Sequence, residues 1–289
     1  MLLRKLWDEY ELMHDLAAST VKHYRMTITA FGSWLGRAGR AGDLNDKTLS
    51  EFLRDQQLAG LASRTVESQR KDLLAIWRWA VAAGLHPGPG PDQVRRLKHS
   101  ELIPSTWTPA EFRRYVDAAG LPRFNRYDRN GHHIGRSMRA LALLSHDTGF
   151  RLGDLQQLPL AAVTNGGPLV IIQRKTGKAH SRRIYDETKR AVLATVPPQR
   201  QLAVGISRGQ MWYWHKRICQ AADVPQYRFK SLNKVARGYH ATQAEIAQPG
   251  AGGPAIGHSR ATGNNLAVTY YVDPRQLPEP PGPGRLLVD

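Results

Sequence analysis

The element Thr148-Gly149-Phe150-Arg151-Leu152-Gly153-Asp154-Leu155 sets a cation just past a glycine turn. Apolar residues at helical spacing run from Met138 to His146 before it, and Leu152, Leu155 and Leu158 extend an apolar stripe after it. This pattern predicts a helix–helix corner with Arg151 at the start of an amphipathic helix, held by packing on both sides. A helix N-terminus and a fixed guanidinium both favour phosphate, because each presents N–H donors with positive charge behind them. Arg-Leu beside a turn is common by itself, so the weight rests on four more motifs further along the chain: Arg174-Lys175-Thr176-Gly177-Lys178, Lys234-Val235-Ala236-Arg237, Ile256-Gly257-His258-Ser259 and Tyr270-Tyr271-Val272-Asp273-Pro274.

The whole chain shares this cationic bias. Lys and Arg number 41 against 24 Asp and Glu, a formal charge of +17 over 289 residues. Self-repulsion of that size opposes compaction, and it is expected of a protein that neutralises phosphates and releases counterions. Cys219 is the single cysteine, so neither an internal disulfide nor a Cys/His zinc site is expected. Charged residues follow Met1-Leu2-Leu3-Arg4-Lys5, with no long apolar run. The expectation is a cytoplasmic, nucleoid-associated protein without a signal peptide or membrane span.

The elements that must position these residues fall into two groups. Residues 6 to about 84 read as helical throughout. Ser19-Thr20 is placed to cap a helix carrying Tyr24, Ile28, Phe31 and Trp34, with Gly36 near its end. Asp46-Lys47-Thr48 opens a second with Leu49, Phe52 and Leu53, and Ser63-Arg64-Thr65 opens a third that runs to Gly84. Its Trp77 and Trp79 sit at core spacing rather than as a platform for bases. Lys22, Arg25, Arg64, Arg70 and Lys71 fall on what would be the opposite, phosphate-facing side. His86-Pro87-Gly88-Pro89-Gly90-Pro91 breaks the chain. The boundaries read are 1–86 for a helical domain, 87–104 for a basic linker with Arg95, Arg96 and Lys98, 105–274 for a second domain, and 275–289 for a Pro/Gly-rich tail. The second domain opens on a capping pattern, Thr108-Pro109-Ala110-Glu111. Residues 123–136 read as an exposed basic loop. Pro168 to Gln173 and Ala179 to Tyr185 read as two strands about a turn. The fold class expected is mainly α with a small antiparallel β-sheet.

Taken in order, these motifs resemble the tyrosine recombinase (phage integrase) family, over nearly the whole chain. The family pattern is an arginine in T-G-x-R-x-x-[DE]-L, a lysine in a β-turn, [HK]-x-x-R, a G-H pair and a tyrosine. The resemblance implies a SAM-like helical core-binding domain joined to an α+β catalytic domain, the two clamping a DNA duplex from opposite sides. It implies that Arg151 and Arg237 hold the non-bridging oxygens of the scissile phosphate. Planar guanidinium groups suit that work, being bidentate and always protonated. Lys175 is implied as the general acid for the departing 5′ oxygen, preferred over Lys178. Lys234 stands where histidine is more common in the family, and positions 234 and 237 are expected to share a helix face. His258 is implied at the phosphate or the tyrosine. His240 reads as a partly buried helix residue instead. Tyr271, immediately before Val272-Asp273-Pro274, is the implied nucleophile, with Tyr270 in reserve. Its phenol needs cationic surroundings to attack near neutral pH. The step from His258 to Tyr271 is a few residues longer than the family usually shows.

The activity implied is site-specific cutting and rejoining of duplex DNA through a 3′-phosphotyrosine link, by tetramers on paired sites. The bond energy stays in that link, so no nucleotide triphosphate, metal or other cofactor is expected. No Walker glycine loop or carboxylate cluster with metal spacing is present in the sequence. Arg174 and Lys178 join the expected DNA contacts. The alternatives are a catalytically decayed DNA-binding protein of the same fold and a type IB topoisomerase-like strand transferase. An RNA-binding reading lacks RNP-like aromatic strands or a KH glycine loop.

Overall fold

The computed structural model describes residues 1–97, 105–128, 131–195, 202–203, 206–227, 231–257 and 271–277. Lys98, His258, Tyr270 and the tail from 278 lie outside the described residues. Contacts divide the chain into two units, Met1–Glu101 and Leu102–Asp289.

The first unit is built on α1 (Leu3–Met13), α2 (Ala18–Trp34), α3 (Asp46–Leu58) and α4 (Ser63–Ala82). Their apolar faces meet in one core of Leu6, Trp7, Phe31, Phe52, Leu73 and Trp77, all almost fully buried. Each such side chain withdrawn from water contributes about 1.5–3 kcal/mol. Trp77 is therefore a core residue and Trp79 packs against that core, as their spacing suggested. α3 opens at Asp46 as read, whereas the start of α2 differs from expectation. α2 begins at Ala18 with Ala17 as an uncapped N-cap, so Ser19 and Thr20 lie inside its first turn. α3 is capped by Asn45, whose side chain accepts from the Thr48 N–H at 2.9 Å.

Beyond α4 the chain stays on this unit. The Trp77 indole donates to the Pro89 carbonyl at 3.0 Å, and the His86 ring bonds the Leu44 carbonyl at 2.9 Å. Val94 and Leu97 are buried in the same core. The proline-rich stretch expected to start a linker is thus docked through residue 97. Gly84, with φ +70°, ends the helix, but buried apolar side chains decide where the chain goes next.

The second unit contains α5 (Pro109–Ala119), α6 (Ile134–Thr148), α7 (Leu152–Leu155), α8 (Leu160–Thr164), β1 (Leu169–Ile172), β2 (Ala179–Arg182), α9 (Asp186–Leu193), α10 (Arg208–Ala222), α11 (Leu232–Ala247) and α12 (Gly252–Ala255). The expected class holds: the unit is mainly helical, with one antiparallel strand pair among the described residues. Thr108 and Glu111 form the capping box at α5. β1 pairs β2 in the register Leu169↔Arg182 to Ile172↔Ala179. α6 is buried on most of its circumference and packs against α5, α9, α10 and α11. The 123–136 stretch is less open than its polarity suggests: Phe124, His132 and His133 are buried within it. His132 bonds Asp128 at 2.7 Å.

One expectation fails at Arg151. It begins a single helical turn, α7, and not a long amphipathic helix. The apolar stripe of Leu152, Leu155 and Leu158 spans a one-turn helix and a bend, because Pro159 starts a new helix.

Candidate active site

Gly149 ends α6 with φ +60°, a left-handed conformation that reverses the chain toward Arg151. A Cβ there would stand 2.8 Å from His240 and 3.1 Å from Ile256, so glycine serves both the turn and the packing of α11 and α12 against it. Asn233 fixes the same corner from α11. Its buried amide donates to Ser145 Oγ at 2.8 Å and to the Phe150 carbonyl at 3.0 Å. Arg151 leaves this corner half-buried, and its Nη1 donates to Gln173 Oε1 at 2.5 Å. Asp154, one turn on, is buried and accepts from the Arg174 N–H at 3.1 Å. The corner and the strand turn are thereby tied together twice.

Arg237 comes from the second turn of α11 and is 3% exposed. Nη2 donates to the Ile256 carbonyl at 2.6 Å, while buried Nε has no partner among the described residues. The guanidinium carbon lies 4.9 Å from the centre of the Tyr271 ring. Burial draws the Arg237 pKa down to about 10, the Tyr271 phenol acts to raise it, and the positive charge of Arg151 lowers it further. The two arginines therefore feel one another electrostatically, although 86 residues separate them in sequence. No carboxylate lies within ion-pair distance of Arg237 among the described residues. The buried Asp154 carboxylate favours the charge only from beyond ion-pair distance, and a buried cation with no paired carboxylate is costly unless an anion arrives from outside.

Tyr271 is half-buried and is held by the residues after it. Val272 is fully buried. The Asp273 N–H donates to Thr242 Oγ1 at 3.0 Å, and its carboxylate accepts from the Thr106 N–H at 3.2 Å and pairs with Arg275 at 2.7 Å. Burial alone would raise the Asp273 pKa, but these donors outweigh it and the net shift is downward. The V-D-P run is thus an anchor that sets the tyrosine's backbone, a role that spacing did not reveal.

The remaining expected residues are distributed less tightly. Lys175, Lys178 and Arg174 are exposed in the turn between β1 and β2, which closes through Gln173 N–H to the Lys178 carbonyl at 2.9 Å. Lys234 is exposed at the start of α11, whereas Arg237 is buried. Spacing of three put them on neighbouring turns, but only the inner residue meets the core. His240 is half-buried and bonds the His146 carbonyl at 2.5 Å, and burial lowers its pKa to about 4.

On the first unit, the expected phosphate-facing cations form two sets. Lys22 and Arg25 edge an open groove of about 930 Å³ that also carries Leu16, Val21 and Met26. Arg25 pairs with Glu11 at 3.0 Å. Arg70, Lys71 and Arg96 line a second groove of about 540 Å³ together with Arg78, which charge and spacing had not singled out. Arg64 is exposed at the head of α4, and Arg95 is exposed with one guanidinium nitrogen on Gln57 at 3.2 Å.

Three side chains at the site carry no motif in the sequence: Gln173, His180 and Arg182. Gln173 and His180 are buried, and Arg182 is half-buried with its guanidinium on the Pro254 and Ala255 carbonyls at 2.8 and 2.7 Å. The available signal was alternation. Leu169, Ile171 and Gln173 fall on one face, so a polar residue occupies an inward position.

No family model matches the chain. It is 23% identical over 239 residues to tyrosine recombinase XerD of Ralstonia nicotianae, covering 77% of this chain and 74% of that protein. It is 25% identical over 178 residues to tyrosine recombinase XerD of Caulobacter vibrioides, covering 59% and 56%. The fold matches a lambda integrase tetramer bound to a Holliday junction with a TM-score of 0.71, at 19% identity over 96% of this chain and 79% of that one. Relatives named as tyrosine recombinases, together with a fold shared with integrases, support the tyrosine recombinase family for this chain. Another solved relative in fold is the Tn1549 transposon integrase in complex with circular intermediate DNA, with a TM-score of 0.63 at 11% identity, covering 93% of this chain and 95% of that one. Among the described residues, no helix is long and apolar enough to cross a membrane.

Proposed function

We propose that this chain is a site-specific DNA recombinase that cuts and rejoins duplex DNA through Tyr271. The observation that carries the reading is the buried Arg237 guanidinium. It lies over the Tyr271 ring, has no carboxylate within ion-pair distance among the described residues, and is coupled electrostatically to Arg151. That is an electrostatic environment suited to receive an anion beside a phenol. The relatives' names and the DNA-bound integrases of similar fold support a phosphodiester as that anion.

In this reading the Tyr271 oxygen attacks phosphorus as its proton passes to solvent water. A 3′-phosphotyrosine bond forms, the P–O5′ bond breaks, and the 5′ oxygen leaves as a hydroxyl. Arg151 and Arg237 stabilise the charge that builds on the non-bridging oxygens. Lys175 delivers the proton to the leaving oxygen from the exposed end of the hairpin turn, and Lys178 is its alternative donor. Lys234 and His258 complete the set. Attack by an incoming 5′ hydroxyl reverses the step, with no cofactor in the cycle. The grooves holding Lys22 and Arg25, and Arg70, Lys71, Arg78 and Arg96, with Arg64 and Arg95 beside them in sequence, are the proposed backbone contacts of the first unit. Arg174 and Lys178 serve the same purpose on the hairpin. Assembly as a tetramer on paired sites follows the lambda integrase tetramer.

The test is a pool of nicked duplexes with randomised flanks, in which cleavage releases a short strand and traps the adduct. Wild type is expected to form a covalent protein–DNA product that Tyr271→Phe does not form. Peptide mapping that places the link on Tyr270 would reassign the nucleophile. Binding without any adduct would favour a decayed DNA-binding protein. Relaxation of supercoiled DNA without sequence preference would favour a topoisomerase-like activity.

A further inference from the structure

Among the described residues, no carboxylate lies within ion-pair distance of the Arg151 guanidinium. Its Nη1 donates to Gln173 Oε1 at 2.5 Å, and the Gln173 amide has further partners. The Thr176 hydroxyl donates to the same oxygen at 2.9 Å. On the other side, Gln173 Nε2 faces His180 Nδ1 at 3.0 Å across the hairpin. An amide can present either oxygen or nitrogen to a given neighbour. Donation by Arg151 and Thr176 sets the oxygen on their side, and His180 reinforces that orientation from the other: with the ring neutral and its proton on Nε2, a buried nitrogen that has no partner among the described residues, Nδ1 accepts from the NH2 group. Burial first, then the neighbouring cationic groups Arg182, Arg237, His240 and Arg151, hold the His180 pKa down to about 4 and keep the ring neutral.

Gly257 closes the stack from above. It has φ +74°, and a Cβ there would overlap Gln173 Nε2 and stand 2.8 Å from His180 Nδ1. The glycine of the G-H element therefore gives backbone access to this pair. Arg182, two residues past His180 on the same face of β2, holds the preceding Pro254 and Ala255 carbonyls.

The geometry points to Gln173 and His180 as positioning residues: His180 orients the Gln173 amide so that its oxygen, not its nitrogen, meets Arg151 and aims the guanidinium at the scissile phosphate. The aim of the guanidinium at phosphate rests on the recombinase reading, while the anchoring of Arg151 by the pair does not. A neutral acceptor suits this work. A carboxylate in its place would hold Arg151 equally well but would cancel the charge that the phosphate is to meet.

Two substitutions at His180 separate positioning from packing. His180→Asn is smaller and polar, yet places an amide oxygen close to where Nδ1 lies. His180→Leu fills the space with a similar bulk but offers no acceptor. A packing role predicts that Leu is tolerated better than Asn, and an orienting role predicts the reverse. The first readout is NMR of the full chain with labelled arginine, the Arg151 signals being assigned with Arg151→Lys. Wild type and His180→Asn are expected to show separate, slowly rotating Arg151 Nη signals, and His180→Leu a single averaged one. Gln173→Met removes the acceptor directly and is expected to average the signal as well, which keeps the question open to experiment if His180→Leu does not fold. Equal Arg151 signals in Asn and Leu variants, or slow rotation retained in Gln173→Met, would overturn the inference.

The second readout is single-turnover cleavage of the nicked duplex. The Leu and Met variants are expected to fall about 10- to 100-fold, in line with an ångström-scale misplacement of a phosphate clamp. Duplex affinity should change less than about threefold, because affinity rests mainly on other phosphate contacts. If the NMR order holds but wild type forms no adduct, the recombinase reading fails and the anchoring of Arg151 stands. If wild type cleaves and the NMR order fails, the opposite holds.

Discussion

Replacing Arg237 by methionine should separate function from stability, because the two make opposite demands on this position. Arg237 is 3% exposed, and its pKa is drawn down to about 10, mainly by burial. At about 1.4 kcal/mol per tenfold change in ionisation, keeping the charge there costs on the order of 3 kcal/mol. Methionine removes the cation and the unpartnered Nε while retaining a flexible apolar stem that fills most of the space. The offsetting loss is the 2.6 Å bond to the Ile256 carbonyl, which leaves a buried acceptor unpaired at about 1–3 kcal/mol. The contact with the Tyr271 ring is exchanged for sulfur against the same ring. The balance lies between no change and a gain of about 2 kcal/mol, or a rise of several degrees at about 2–4 °C per kcal/mol. Adduct formation should nevertheless fall at least about 10²- to 10³-fold, the usual cost of deleting one donor to a developing oxyanion. Calorimetry at neutral pH and the nicked-duplex assay measure the two sides. Inorganic sulfate adds a further check: it should raise the melting temperature of wild type more than that of Arg237→Met. A drop of more than about 5 °C in Arg237→Met, or cleavage at the wild-type rate, would show the buried cation to be structural and refute the reasoning.

Gly257→Ala forces a Cβ into the Gln173–His180 pair at a left-handed backbone position. A stability loss of about 1–2 kcal/mol from backbone strain is expected in a denaturant titration, with a larger proportional loss of cleavage. A full-activity alanine variant would show that the stack has slack. Lys175→Ala should slow cleavage by about 10²- to 10⁴-fold, whereas Lys178→Ala should cost less than about threefold. A substrate whose 5′-bridging oxygen is replaced by sulfur leaves without a proton and should restore Lys175→Ala alone. The reverse ranking of the two lysines would move the acid to Lys178. His180, His215 and His240 are each held down to about 4, first of all by burial, so the unfolded chain takes up their protons before the folded one does. Stability is therefore complete above about pH 6.5 and declines as pH falls toward 4. His215, 1% exposed, accounts for a loss on the order of 3 kcal/mol across that window. Denaturant titrations at about pH 7 and about pH 5 should show the decline, and His215→Phe should flatten it. Equal stability at both values would contradict the burial argument.

Several features of this protein were legible in sequence because they depend on neighbours along the chain. Helical spacing located the core of α4, the Thr108–Glu111 box marked the head of α5, and the β-branched run beside K-T-G-K marked the hairpin. The order of short motifs pointed to the tyrosine recombinase family, which relatives of that name and a matching fold then supported. Local pattern misled where a tertiary contact outweighed it. The stripe after Arg151 is one helical turn and a bend, and residues 87–97 pack on the first unit. Local spacing also gave Lys234 and Arg237 equal standing, while burial separated them. What only the tertiary structure decided is which polar groups lose their water together. Arg237 over Tyr271, the charge of Arg151 felt by Arg237, and the Gln173–His180 pair beneath Gly257 join segments from seven to 86 residues apart. The energy of a buried charge or amide is set by what surrounds it in three dimensions, and residue order carries no term for that.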